Sequence, residues 1–154
     1  YPHVGGQFNI KPGAFSEYVI DKALEAGVYT IIATHSHIPQ KLVVKDGIPI
    51  SYCLGNFNMN PKSYLAMPEI LTHYGYALHL YVEDKRIQRV TFSMLKNCVM
   101  PDGQIASCPV DELYAKLRNE KEKKQLEKDI RHLYGRITGR VLTKPIVRRE
   151  YEAV

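Results

Sequence analysis

The sequence predicts a mixed α/β fold, on three observations. A strand–helix–strand pattern occupies the first 34 residues, an Asp46-Gly47 dipeptide joins two apolar runs, and an amphipathic helical stretch follows Val110. The expected architecture is therefore a βαβ unit, then antiparallel hairpins, then a C-terminal helix.

Tyr1 to Val4 reads as a strand end that runs into a glycine-rich loop, Gly5 to Gly13. A helix is predicted over 14–26. Phe15, Tyr18, Val19, Ala23 and Leu24 recur at helical spacing, Ser16 and Glu17 suit the first turn, and Gly27 suits the stop. Tyr29 to Thr34 is a continuous β-branched run of the kind that fits a strand buried on both faces. Runs 41–45 and 48–54 flank Asp46-Gly47, the strongest short hairpin signal in the chain. A loop rich in Asn, Met and Pro follows over 55–68. Strands are predicted at 75–82 and 87–96, with Leu78, Leu80 and Val82 alternating against His79 and Tyr81. Pro101-Asp102-Gly103 marks a further loop. From 110 to about 134 one helix is predicted, capped near Cys108 or Asp111. Its stripe is Leu113, Leu117, Leu126, Ile130, Leu133, Tyr134 and Ile137, which suits packing on a sheet.

At 154 residues, 45% hydrophobic and 24% charged, the composition excludes disordered, collagen-like and coiled-coil chains. No apolar run approaches the roughly 18 residues of a membrane span. The net charge of +5 is uneven: residues 1–110 hold 9 Lys/Arg against 8 Asp/Glu, residues 111–154 hold 12 against 8. In the second segment the signs alternate, as in Glu120-Lys121-Glu122-Lys123-Lys124, which describes a solvated helix face rather than a polyanion track. No nucleic-acid partner is expected. Cys53, Cys98 and Cys108 form no CxxC pair; a Cys98–Cys108 bridge stays open, and Cys53 has no base near it in sequence to make it a nucleophile.

Chemistry concentrates in Thr34-His35-Ser36-His37-Ile38-Pro39. In an extended chain positions i and i+2 project to the same side, and the carboxyl ends of strands in a parallel sheet are where ligands bind. Imidazole suits borderline divalent metals such as Zn, Mn or Fe. His35 and His37 can therefore share a metal, take one each, or only hydrogen-bond backbone and water. His3 ends the preceding strand beside Gly5-Gly6, and would open onto the same edge if the two strands are neighbours. Tyr52-Cys53-Leu54-Gly55-Asn56-Phe57 places Asn56 after the hairpin, where it can face that edge or stabilise a turn. His73, His79 and His132 read as structural or surface residues.

Three motifs in this order, His3-Val4-Gly5-Gly6-Gln7, Thr34-His35-Ser36-His37-Ile38-Pro39-Gln40 and Tyr52-Cys53-Leu54-Gly55-Asn56-Phe57, resemble the C-terminal half of bacterial CapA-type (poly-γ-glutamate) capsule-synthesis proteins. That family is similar to the calcineurin-like metallophosphoesterases. The likeness is close over residues 1–60 and looser over 61–100; Gln7, Thr34 and Cys53 depart mildly from its pattern.

The resemblance implies the C-terminal half of a metallophosphoesterase-like α/β/β/α sandwich over residues 1–109; residues 110–154 read from their charge and periodicity as a basic helical extension. It implies His3 and His35 as ligands of one metal and His37 as a ligand of another, with Asn56 and Gln40 supporting and no catalytic residue in this segment. Two divalent ions (Mn, Fe or Zn) would be held in the complete protein, and weakly or not at all by this segment. The partner would be the N-terminal half of the same domain, which brings the carboxylate ligands; Asp21 and Glu69 have no reason to reach the histidines. Metal-assisted hydrolysis or transfer on an anionic polymer or phosphoester, at the cell envelope or its outer face, is the implied activity. A non-enzymatic binding or scaffold role in capsule assembly is the alternative.

Overall fold

The computed structural model describes residues 1–64 and 70–153. The 65–68 part of the expected loop, and Glu69, lie outside the described residues.

Helix α1 (Ala14–Glu25) forms where its spacing places it, and Gly27, at φ 80°, stops it. Its buried face differs from the expected one. Phe15 and Tyr18 are 66% and 59% exposed, whereas Ser16 and Ile20 are buried and Ala23 and Leu24 half-buried. The inward stripe is thus 16, 20, 23, 24, the i, i+4, i+7, i+8 pattern of a helix on a sheet. Ile20 seals this contact against Ile31 and Ile50.

Strand β1 is shorter than the run 29–34, covering only Ile31–Ile32. Strands β2 (Leu42–Lys45) and β3 (Ile48–Ser51) form the expected hairpin, with Asp46 and Gly47 at φ 51° and 79°, the doubly left-handed turn that matches strand twist. The sheet order is β1-β3-β2, with β1 parallel to β3. On the other edge of β1, Val4 N–H donates to Thr34 O and Thr34 N–H to Pro2 O, so the His3 segment runs parallel beside it. The βαβ unit is therefore present. Leu42 and Val44 face one side of this sheet and Val43 the other.

Strands β4 (Tyr74–Glu83) and β5 (Arg86–Val99) pair antiparallel around Asp84-Lys85, two non-glycine residues at φ 47° and 61°. Leu78 and Leu80 turn inward as their alternation predicts, but Val82 lies beyond a bulge at Tyr81/Val82 and is exposed. Two strands join that the sequence reading lacked. Strand β6 (Ile105–Pro109) and strand β7 (Tyr151–Glu152) both pair with the edge of β5 opposite β4. The expected single helix after Val110 is two: α2 (Val110–Lys116) and α3 (Glu120–Thr138). Leu117 is extended, and Asn119 caps α3 by accepting the Lys121 N–H, with Glu120 and Glu122 in its first turn. α2 starts after Pro109 without a side-chain cap.

The two sheets meet where the chain beyond β3 touches the start of β4. Tyr76 N–H donates to Leu54 O at 2.8 Å, and Gly55 opposes Gly75. Leu126, Ile130, Leu133 and Ile137 of α3 and Tyr151 of β7 share one core with Ile38, Leu42, Tyr74, Phe92 and Met94. The first sheet thus lies between α1 and α3, which makes a mixed α/β architecture of two sheets and covering helices. Cys53, Cys98 and Cys108 are free thiols, and Cys53 is buried. Among the described residues no helix is long and apolar enough to cross a membrane.

Candidate functional site

His3 reaches the site because its segment pairs with Thr34. The Thr34 hydroxyl lies 3.1 Å from His3 Nδ1, which turns Nε2 toward His35. His35 Nδ1 lies 2.6 Å from His3 Nε2, with the rings edge-on and their centroids 4.5 Å apart. Thr34 is a positioning residue that sequence reasoning passed over; its place opposite His3, one residue before His35, was the available signal.

His35 and His37 do not project from an extended strand. Their φ angles are 129° and 60°, both in territory that L side chains rarely adopt, with buried Ser36 between them. The Ser36 hydroxyl donates to Ile38 O at 2.9 Å, and the Phe8 N–H donates to Ser36 O at 2.8 Å, which together hold the kink. Such conformations cost about 1–3 kcal/mol each and persist where the surroundings over-determine them, commonly at functional sites. The two rings end with centroids 6.4 Å apart on one side of the turn, and the Phe8 ring lies 5.8 Å from that of His37.

His37 is oriented from behind. Its Nδ1–H donates to Asn56 Oδ1 at 2.8 Å, while Asn56 Nδ2 donates to Thr72 O at 2.9 Å. The second bond fixes which end of the amide faces the imidazole, so Nδ1 carries a proton. Asn56 is 5% exposed, so it joins His37 to the β4 side of the junction rather than closing a local turn. Close backbone approach makes this possible. A Cβ on Gly55 (φ 82°) would lie 2.6 Å from Tyr74 O, and one on Gly75 would lie 2.5 Å from Asn56 O.

Gln40 serves a different end of the loop. Its Nε2 donates to Asn9 O at 2.7 Å, tying the glycine-rich loop to the segment after His37. His3, His35 and His37 are thus brought together, Asn56 touches one of them, and Gln40 acts at one remove. His79 bonds the Ser93 hydroxyl at 2.9 Å, away from the cluster.

Three imidazoles suit a borderline divalent ion, and an oriented imidazole with an amide behind it is how metal-binding histidines are commonly supported. The spacing fits in part. Two nitrogens on one ion at about 2.1 Å stand about 3.0–3.4 Å apart, so the 2.6 Å hydrogen bond between His3 and His35 would open slightly to admit one. Among the described residues, no three His, Cys, Asp or Glu form a group that could hold a metal ion. Asp21 stays on the exposed side of α1. The cluster therefore fits at most part of a ligand set among the described residues.

Residues 1–61 match the family model of the bacterial capsule synthesis protein PGA_cap. The matched segment holds His3, His35, His37 and Asn56, in keeping with the CapA-type motif order. No curated protein matches the chain.

Proposed function

We propose that this capsule synthesis segment supplies three imidazoles, His3, His35 and His37, to a divalent-metal centre. The reading rests above all on one observation: two strained histidines and a third from the neighbouring strand converge, with ring nitrogens 2.6 Å apart. His3 and His35 would serve one ion and His37 a second (Mn, Fe or Zn), the remaining ligands coming from the N-terminal half of the same domain. Such an ion pair would activate water and polarise a phosphoryl or amide oxygen. The chain's own residues position the donors: Thr34 aims His3, Asn56 holds the Nδ1–H tautomer of His37, and Gln40 anchors the adjoining loop. The substrate class would be a capsule polymer such as poly-γ-glutamate, or a phosphoester in its assembly, processed at the cell envelope.

Metal content of the complete protein, measured by elemental analysis for wild type, His35→Ala and His37→Ala, tests this. Stoichiometric metal that falls in both variants is expected; undiminished metal in both overturns the reading. A non-enzymatic binding or scaffold role in capsule assembly is the alternative reading. Capsule-polymer binding without hydrolysis of phosphoesters or glutamyl amides would select it.

A further inference from the structure

A cavity of about 760 Å³ lies apart from the histidine cluster. One wall is the C-terminal half of α3, with Arg131, His132 and Gly135. A second is the chain after Gly139, which at φ 71° turns back so that Arg140, Val141 and Leu142 line the cavity. The third is the glycine-rich loop at Ile10 to Pro12, with Glu17 of α1 and Lys41.

Positive charge dominates these walls. Among the described lining residues Glu17 is the only carboxylate, and it lies 3.3 Å from Lys41. Besides Arg136, which donates to Ile10 O at 3.0 Å, the other lining cations are Lys11, Arg131 and Arg140. Arg131 donates to Leu142 O at 3.4 Å and Arg140 to Glu152 O at 3.1 Å; carbonyl partners aim a guanidinium without neutralising it. The end of α3 contributes only about half a negative charge, small against three full cations. The charges stand on separate walls, while Ile10, Pro12, Val141 and Leu142 provide apolar surface between them. A volume of this size accommodates a small molecule or a few polymer units, where one inorganic ion would leave most of it empty.

We propose that this cavity binds a ligand of small-molecule size that carries two or more oxyanion groups, carboxylate or phosphate, on a partly apolar body. The arginine forks grip the oxyanions bidentately and Lys11 closes the far wall as a point charge. The site is separate from the His3–His35–His37 cluster, since none of these three lines it. The glycine-rich loop runs between the two, from His3 and Phe8 at one end to Ile10 to Pro12 at the other.

The test is calorimetric titration of the full chain with pyrophosphate, citrate and α-linked tetraglutamate, with and without chelator. Saturable binding of at least one probe is expected, and which one binds tells phosphate from carboxylate. Lys11→Glu should weaken it about ten-fold or more by loss and reversal of one charge contact. Val141→Trp should do the same by filling the cavity, and at 90% exposure Val141 tolerates replacement without loss of fold. His35→Ala should leave binding unchanged, so failure of the metal reading and failure of this one are told apart. The proposal is overturned by absence of saturable binding, by binding indifferent to both cavity variants, or by binding lost in His35→Ala. Equally strong, salt-erased binding of a random single-stranded oligonucleotide also overturns it, as mere counterion collection.

Discussion

His37 donates its Nδ1–H to Asn56 Oδ1 at 2.8 Å, across 19 residues of sequence. This one bond converts a histidine on a kinked turn into an oriented donor, because Asn56 is itself pinned through Thr72 O. The proposed centre predicts that Asn56→Ala lowers metal affinity about 10–100-fold, the usual effect of removing a ligand's support. Asn56→Asp keeps an acceptor for the Nδ1–H and should restore much of the affinity while still losing the bond to Thr72 O. Metal titration of the complete protein measures both, and an Asn56→Ala affinity equal to wild type would count against the orienting role. Stability should also fall by about 1–3 kcal/mol in Asn56→Ala, since buried groups lose partners.

The junction that carries Asn56 depends on two glycines with different needs. Gly55 combines φ 82° with no room for a Cβ, Gly75 lacks only the room, and Gly47 has φ 79° but open space around it. A left-handed conformation costs an L residue about 1–2 kcal/mol. Gly47→Ala should therefore lose about that much stability. Gly55→Ala should lose clearly more, because Tyr74 O and Pro39 must also shift. Denaturant midpoints rank the two variants, and a Gly55→Ala no worse than Gly47→Ala would contradict the packing argument.

Local signals in the sequence carried the hairpin at Asp46-Gly47, the existence of α1 and the inward stripe of α3, because each depends on spacing within a few residues. The three histidines were legible for the same reason: each follows a strand or a glycine-rich turn in a recognisable motif. Their geometry was not. An i, i+2 argument assumes an extended chain, whereas His35 and His37 take positive φ in a kink held by the distant Phe8 N–H on Ser36 O together with the local bond from the Ser36 hydroxyl to Ile38 O. Strand β7 is two residues that form only because β5 leaves an edge open there, and β6 has no alternation to read, all five residues being half-buried. The break between α2 and α3 was readable after all, in Asn119 followed by Glu120 and Glu122, but the continuing Leu113–Leu117 period masked it.

Helix α1 supplies a direct check on which face the chain buries. Ile20 is 1% exposed against Ile31 and Ile50, whereas Phe15 is 66% exposed. Ile20→Ala should cost about 2–5 kcal/mol from lost burial and the cavity left behind. Phe15→Ala, although it removes the larger side chain, should stay within about 0.5 kcal/mol. Thermal or denaturant unfolding decides between this face and the one that hydrophobic spacing alone suggests.

Alkaline pH should unfold this chain through its buried tyrosines. Burial, and then the carboxylate of Asp129 that accepts its O–H at 2.7 Å, push the Tyr74 hydroxyl well above its ordinary value of 10.0. Burial does the same for Tyr76, and pushes Tyr151 up to about 12. The folded state thus prefers the neutral phenol more strongly than the unfolded chain does. Stability tied to these groups is complete below 10.0 and is lost as pH rises through that value toward the folded ones, because the unfolded chain then releases protons the native state retains. Denaturation midpoints should be flat near neutrality and fall steeply once the pH passes 10.0. Tyr74→Phe should begin lower at neutral pH, with Asp129 deprived of a donor, and then fall less steeply on the alkaline side. A wild-type midpoint that holds constant through the alkaline range, or a Tyr74→Phe slope as steep as wild type, would refute this account of the core.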